Sequence, residues 1–135
     1  MLWFKQAIFA KNLALLIQFI LGQGLYVTMG ETFRSVEQAK IYANEHKGII
    51  HSLHCKRLAV DLNIHDKDGN YLTDRKYYEE AGKYWESLDS NNRWGGHFPS
   101  WCLKDYDHFE RQDDMHYSPG LHAMKDAKYL SERPR

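Results

Sequence analysis

The sequence predicts an α+β fold: a single small domain in which a short antiparallel sheet packs with about three helices. Three observations carry this. No charged residue occurs from Asn12 to Gly30, and the apolar run inside that stretch ends in glycines, as a buried helix does. Residues 57–65 alternate strictly, with Leu58, Val60, Leu62 and Ile64 against Arg57, Ala59, Asp61, Asn63 and His65, which is the period of a half-buried strand. Tyr77, Ala81, Tyr84 and Trp85 recur at helical spacing. Long helices among separated short strands fit α+β better than a parallel βαβ array. A chain of 135 residues holds one domain and leaves no room for two full ones.

Composition narrows the function classes. With 43% hydrophobic and 14% aromatic residues the chain fills a core, which excludes a disordered protein. Eighteen Lys and Arg balance eighteen Asp and Glu, so the chain lacks the electrostatic footprint of a general nucleic-acid binder and has no polybasic membrane patch. Cys55 and Cys102 are too few for a disulfide framework and read as free thiols, with a single pairing between them left open. Eight histidines invite a search for metal or acid–base chemistry.

In chain order, a helix is expected over about 3–21, closed by Gly22 or Gly24. Lys5 and Lys11 ahead of the run 13–21 outline a signal segment, but Gln18 interrupts it and no small-residue cleavage site follows. The run also falls short of the ~20 apolar residues a membrane span needs. A helix of the domain, with no stable membrane insertion, is therefore expected. A short strand follows over 25–29, then a helix over 36–46 with Ser35 as N-cap and Gln38 completing a capping box. After the strand at 57–65, Asp66–Asn70 reads as a hairpin turn carrying Asp68-Gly69, with the glycine misplaced for an EF-hand, and Tyr71-Leu72 returns. A helix over 74–88 capped by Thr73 or Asp74, a polar loop over 89–93, short strands at 94–98 and 108–110, and a polar tail from Gln112 with a turn at 118–120 complete the reading.

Two clusters carry chemistry. His54 lies seven residues before Asp61, an odd spacing that puts the pair on opposite faces of one straight strand, so they converge only if the chain bends at Cys55-Lys56-Arg57. Downstream, His108 and Glu110 share a strand face and Asp105 lies just ahead. Two histidines and an aspartate can make a three-ligand zinc site with a fourth position open to water, and a further carboxylate would be the general base on that water. Spacing alone leaves open that both histidines are ordinary satisfied polar residues.

At these residues the chain resembles a known family. Ser52-Leu53-His54-Cys55-Lys56-Arg57-Leu58-Ala59-Val60-Asp61 resembles the S-x-H-x-x-G-x-A-x-D motif of D-alanyl-D-alanine carboxypeptidase-like zinc peptidases, and Asp105-Tyr106-Asp107-His108 resembles their [DE]-x-x-H motif. Gly30-Glu31-Thr32-Phe33-Arg34, Trp94-Gly95-Gly96-His97-Phe98 and, less specifically, Lys83–Leu88 are similar to small phage endolysins of that group, the L-alanyl-D-glutamate peptidases. The resemblance spans about residues 2–110 in order. It implies zinc held by His54, Asp61 and His108, Asp105 as catalytic carboxylate, Arg34 steadying the substrate carbonyl, and Ser52 near the substrate. It departs from the motif at Arg57, where the family has glycine; on a strand Arg57 would share the side of Asp61 and narrow or charge the cleft.

The remaining residues are read from their surroundings in sequence. Glu110 is a candidate to hold a ligand imidazole from outside. Asp107 has the strand parity of Phe109 and should point away from His108. Trp94 and Phe98 read as core and His97 as exposed, and the cysteines lack C-x-x-C spacing for zinc. The expected activity is zinc-dependent hydrolysis of the peptidoglycan stem peptide by a monomer, at the L-alanyl-D-glutamate bond, made in the host cytoplasm and released to the wall during lysis. A D-alanyl-D-alanine carboxypeptidase and a non-catalytic zinc-containing binding module are the alternatives.

Overall fold

The computed structural model describes residues 1–46, 52–100 and 103–113. Cys102, His116, His122 and the expected turn at 118–120 lie outside the described residues. The elements are helix α1 (Leu2–Gly22), strand β1 (Tyr26–Met29), helix α2 (Val36–Asn44), a 3-10 turn (Leu53–Lys56), strands β2 (Ala59–His65) and β3 (Tyr71–Leu72), helix α3 (Arg75–Leu88), strand β4 (Asn92–Trp94), a second 3-10 turn (Gly95–His97) and strand β5 (His108–Arg111). The strands form one antiparallel sheet in the order β1-β2-β5-β4, with β3 also paired to β2. The α+β expectation is borne out.

Strand β2 organises the molecule because its alternation is real. Val60, Leu62 and Ile64 are fully buried on one face, while Asp61, Asn63 and His65 remain half-open on the other. The apolar face meets α1 through Phe9, Leu16 and Ile20, and α3 through Tyr78, Ala81 and Trp85. Phe9 and Phe109 pack edge-on against the Trp85 ring, with centroids 5.5 and 6.2 Å away. The indole Nε1 of Trp85 donates to Glu110 O at 3.0 Å, and Tyr78 Oη donates to Leu72 O at 2.6 Å, so α3 is both packed on the sheet and bonded to it.

Local chemistry sets the ends. Helix α1 closes in a Schellman arrangement, with Gly24 N donating to Leu21 O and Leu25 N to Ile20 O, and Gly24 takes the left-handed conformation this needs (φ 80°). Along its length α1 buries only the stripe Phe9, Asn12, Leu16 and Ile20. By length and composition alone it is apolar enough to cross a membrane. The Ser35 hydroxyl accepts from Gln38 N at 3.0 Å, as expected of an N-cap. The Asp66 carboxylate accepts from Asp68 N and Asn70 N, both at 2.9 Å, and builds the β2–β3 turn.

Three local expectations are corrected. The strand expected at 94–98 ends at Trp94 and begins earlier, at Asn92, inside the polar loop; Asn92 is buried and donates to Trp85 O at 2.9 Å. Gly95–His97 curl into a 3-10 turn because the chain there must pass close to the segment carrying Asp105: a Cβ on Gly95 would lie 2.0 Å from Asp105 O. The tail expected to be polar from Gln112 opens on a buried Gln112, and Asp113 pairs with Lys5 at 2.9 Å and also with Lys56.

Arg57 is not on a strand face. It closes the first 3-10 turn in the left-handed conformation (φ 56°, ψ 37°), which accounts for glycine at this motif position in the family it resembles. Its guanidinium stacks over the Phe33 ring, 4.0 Å from the centroid, and this stacking offsets part of the backbone cost. A left-handed non-glycine residue costs roughly 1–2 kcal/mol. Arg57→Gly is therefore expected to leave the thermal midpoint unchanged or raise it, and a drop of several degrees in a thermal melt would show that the stacking dominates.

Candidate functional site

The polar face of the sheet gathers the site. Asp61 on β2 is paired in register with His108 on β5, so their side chains rise together on the side away from the helices. His54 reaches them from the 3-10 turn before β2. That turn and the left-handed Arg57 supply the bend that the odd spacing requires, and Ser52 caps it, its hydroxyl accepting from His54 N at 3.2 Å. His54 Nε2 lies 3.5 Å and His108 Nδ1 3.2 Å from the same Asp61 Oδ1. One ligand atom from each of the three residues falls within 4.8 Å of the others. Tetrahedral coordination with bonds of ~2.0–2.1 Å separates ligand atoms by about 3.3 Å, so the cluster is within a small contraction of a metal shell. The donors, two imidazole nitrogens and a carboxylate oxygen, suit zinc.

His108 is held from behind. Its Nε2 lies 2.6 Å from Glu110 Oε1, and Glu110 in turn receives Arg93 Nη2 at 2.7 Å and Gln112 Nε2. This anchors the ring with Nδ1 turned to the cluster. Burial pulls the His108 imidazole toward neutrality, but hydrogen bonds to Asp61 and Glu110 outweigh it and push the pKa up to about 10. Burial likewise works against the Glu110 carboxylate, and the Arg93 charge, with His108, more than offsets it and holds the pKa at about 2. Asp61 follows the same pattern: the two imidazoles keep it ionised well below the usual carboxylate range despite burial.

Asp105 and Asp107 form a second carboxyl group at this site. Asp105 is tethered through its backbone, its N donating to Gly95 O at 3.1 Å and its O accepting from His108 N at 3.2 Å. The Trp94 indole fixes the same loop by donating to Tyr106 O at 2.6 Å. Asp107 does not point away from His108 as strand parity implied. Residues 106–107 form a turn, the strand starts only at His108, and the Asp107 carboxyl hydrogen-bonds to Asp105. Burial first, then the Asp105 hydrogen bond and charge, then the charge of Asp61, push the Asp107 carboxyl up to about 7.

The other expected residues are placed as follows. Arg34 binds Glu31 through Nη2, lies 5.1 Å over the Tyr42 ring, and keeps a buried Nε without a hydrogen-bond partner. Phe98 is buried, with its ring 5.8 Å from that of His108, and Trp94 is wholly buried. His97 is exposed, as expected, and bonds Glu86 at 2.7 Å. Cys55 is a free thiol outside the cluster, and burial pushes its pKa up. Sequence reasoning missed Glu31 as a member of the site; its place three residues before Arg34 in Gly30–Arg34 was the available signal.

The fold and the donor set define a sheet-borne His-Asp-His centre of the kind that hydrolytic metalloenzymes use. Residues 45–111, which carry all three cluster residues, match the sequence model of a family described as D-alanyl-D-alanine carboxypeptidase. The fold is similar to that of the crystal structure of the Serratia marcescens L-Ala D-Glu endopeptidase ChiX: TM-score 0.56, 20% identity, covering 72% of this chain and 75% of that one. No curated protein sequence matches the chain. The expected family resemblance is borne out over residues 45–111, which match that family's sequence model.

The buried His108–Glu110 pair sets a pH signature in the metal-free protein. Glu110, depressed from 4.5 to about 2, contributes stability that is full above pH 4.5 and is lost as pH falls through 2. His108, raised from 6.5 to about 10, contributes stability that is full below pH 6.5 and is lost as pH rises through 10. The deficit of metal-free Glu110→Gln in thermal melts should thus be largest between pH 4.5 and 6.5 and shrink on both sides. A deficit that grows toward pH 2 would contradict the ionised pair.

Proposed function

We propose that this protein is a zinc-dependent peptidase that hydrolyses the L-alanyl-D-glutamate bond of the peptidoglycan stem peptide, acting as a phage or prophage endolysin. The observation that carries the reading is the juxtaposition of the His54–Asp61–His108 cluster with a second carboxyl pair, Asp105 and Asp107, whose members hydrogen-bond to each other. A module that only kept a metal would have no use for that pair. The family model matched over 45–111 supports peptidase chemistry, and the similar fold of an L-Ala D-Glu endopeptidase supports the choice of bond. The family description itself supports a second reading, D-alanyl-D-alanine carboxypeptidase activity with the same residues.

Zinc held by His54, Asp61 and His108 would supply Lewis acidity and a water of lowered pKa, near ~7. The chain's own residues then do the proton work. Asp105 accepts the proton of the attacking water and returns it to the leaving amine. Asp107 keeps the proton of the carboxyl pair and donates its hydrogen bond to Asp105, which leaves Asp105 as the acceptor. Arg34, as the family resemblance implies, steadies the developing oxyanion, a contribution of roughly 3–4 kcal/mol for a well-placed donor. Ser52 caps the turn that aims His54. The protein acts as a monomer, is made in the host cytoplasm and reaches the wall on release at lysis.

Ligand and base are separable by mutation. Asp61→Asn removes a charged donor, so zinc content should fall. Asp105→Asn should retain about one zinc per chain and a near-wild-type melt, yet lose ~10²–10⁴-fold in turnover on purified peptidoglycan. Full turnover in Asp105→Asn would move the base to Asp107 or Glu110, and loss of its zinc would make Asp105 a ligand. Mass spectrometry of the digested wall names the bond: new L-alanine carboxyl ends with D-glutamate amino ends are expected, and release of free D-alanine instead would establish the carboxypeptidase reading.

A further inference from the structure

We propose that Glu31, anchored by Arg34, is the positioning residue for His54, so that each imidazole of the cluster is backed by its own arginine-held glutamate. The inference rests on the reading that the cluster holds a metal, and it adds a residue to that site. On the β5 side the arrangement is complete: His108 Nε2 meets Glu110 at 2.6 Å and Glu110 meets Arg93 at 2.7 Å. The His54 side has the same three residue types in the same order. His54 turns Nε2 to Asp61 at 3.5 Å, which leaves Nδ1 facing Glu31 Oε1 at 3.6 Å, and that same Oε1 is bound by Arg34 Nη2.

The separation at His54 is too long for a hydrogen bond, and Nδ1 is buried with no hydrogen-bond partner. This has a chemical consequence. An imidazole that gives Nε2 to a metal must be neutral and must carry its proton on Nδ1. A buried N–H without an acceptor is destabilising, and the carboxylate facing this one is that of Glu31. A shift of well under 1 Å closes the bond.

Glu31 is held where it can do this. Beyond the end of β1 the chain stays stitched to β2: Gly30 N donates to Asp61 O at 2.8 Å, and Asp61 N donates to Glu31 O at 2.9 Å. Arg34 N donates to His54 O at 3.2 Å. Residues 30–34 therefore touch the backbone of two cluster residues while the Glu31 side chain faces the ring of one. Arg34 has a task besides the substrate, because its guanidinium neutralises and orients the carboxylate that orients His54.

The test uses the full chain: zinc affinity by competition with a chromophoric chelator, and the visible spectrum of the cobalt-substituted protein, for wild type, Glu31→Ala and Glu31→Gln. Loss of a group that orients a ligand costs ~10–100-fold in metal affinity, and Glu31→Ala is expected in that range with an altered cobalt spectrum. Glu31→Gln keeps an acceptor oxygen without the charge and should fall between Ala and wild type. Either folded variant with wild-type affinity and spectrum would overturn the proposal, whatever its hydrolytic activity. A wild-type protein that takes up neither metal would instead overturn the metal reading itself, and this inference with it.

Discussion

The site depends on one register. Asp61 of β2 lies directly across from His108 of β5, and this pairing puts two donors from residues 47 positions apart in sequence within 3.2 Å. Because side chains alternate with period two, a slip of one residue would send Asp61 into the helix-covered core and Val60 to the polar face. The apolar packing of Val60, Leu62, Ile64 and Phe109 against α1 and α3 forbids that slip. Hydrophobic burial on one face thus fixes the chemistry on the other.

Around that pair the charges are arranged to attract a cation. Asp61, Glu31 and Glu110 converge on two imidazoles with Asp107 and its partner Asp105 beside them, and the arginines that balance them, Arg34 and Arg93, stand behind the glutamates rather than among the donors. Arginine so placed aims the glutamates without placing its own charge at the donor atoms. Burial first, and then the neighbouring carboxyls, push the Asp107 carboxyl up, which is the cost of such crowding.

Much of this was legible in the sequence where one local rule dominates. The alternation over β2 gave the buried set correctly, the Ser35 cap and the Asp68-Gly69 turn formed as read, and the bend that His54 and Asp61 require is present. What was not legible arises from contacts between distant segments. Trp94 leaves the sheet early because Gly95 must admit the backbone of Asp105. Asp107 turns toward the site because β5 begins one residue later than a strand through it would. In α3 the buried face includes Tyr78, which helical spacing from Tyr77 and Ala81 alone did not select and whose hydroxyl joins the helix to the sheet. Arg57, read as a strand residue beside the cleft, takes a left-handed conformation that no side-chain pattern announces. Glu31 sits three residues before Arg34 in a recognisable run, but that spacing does not reveal that it faces His54, which only the folded chain brings to it.

The central claim is that three side chains from a 3-10 turn and two paired strands form one metal centre. Anomalous scattering at the zinc absorption edge, from crystals of the protein grown with zinc, tests it most directly. The account predicts a single strong peak ~2.0–2.2 Å from His54 Nε2, His108 Nδ1 and an Asp61 carboxylate oxygen. A fully loaded protein whose peak lies elsewhere, or engages fewer than all three of these residues, would contradict it.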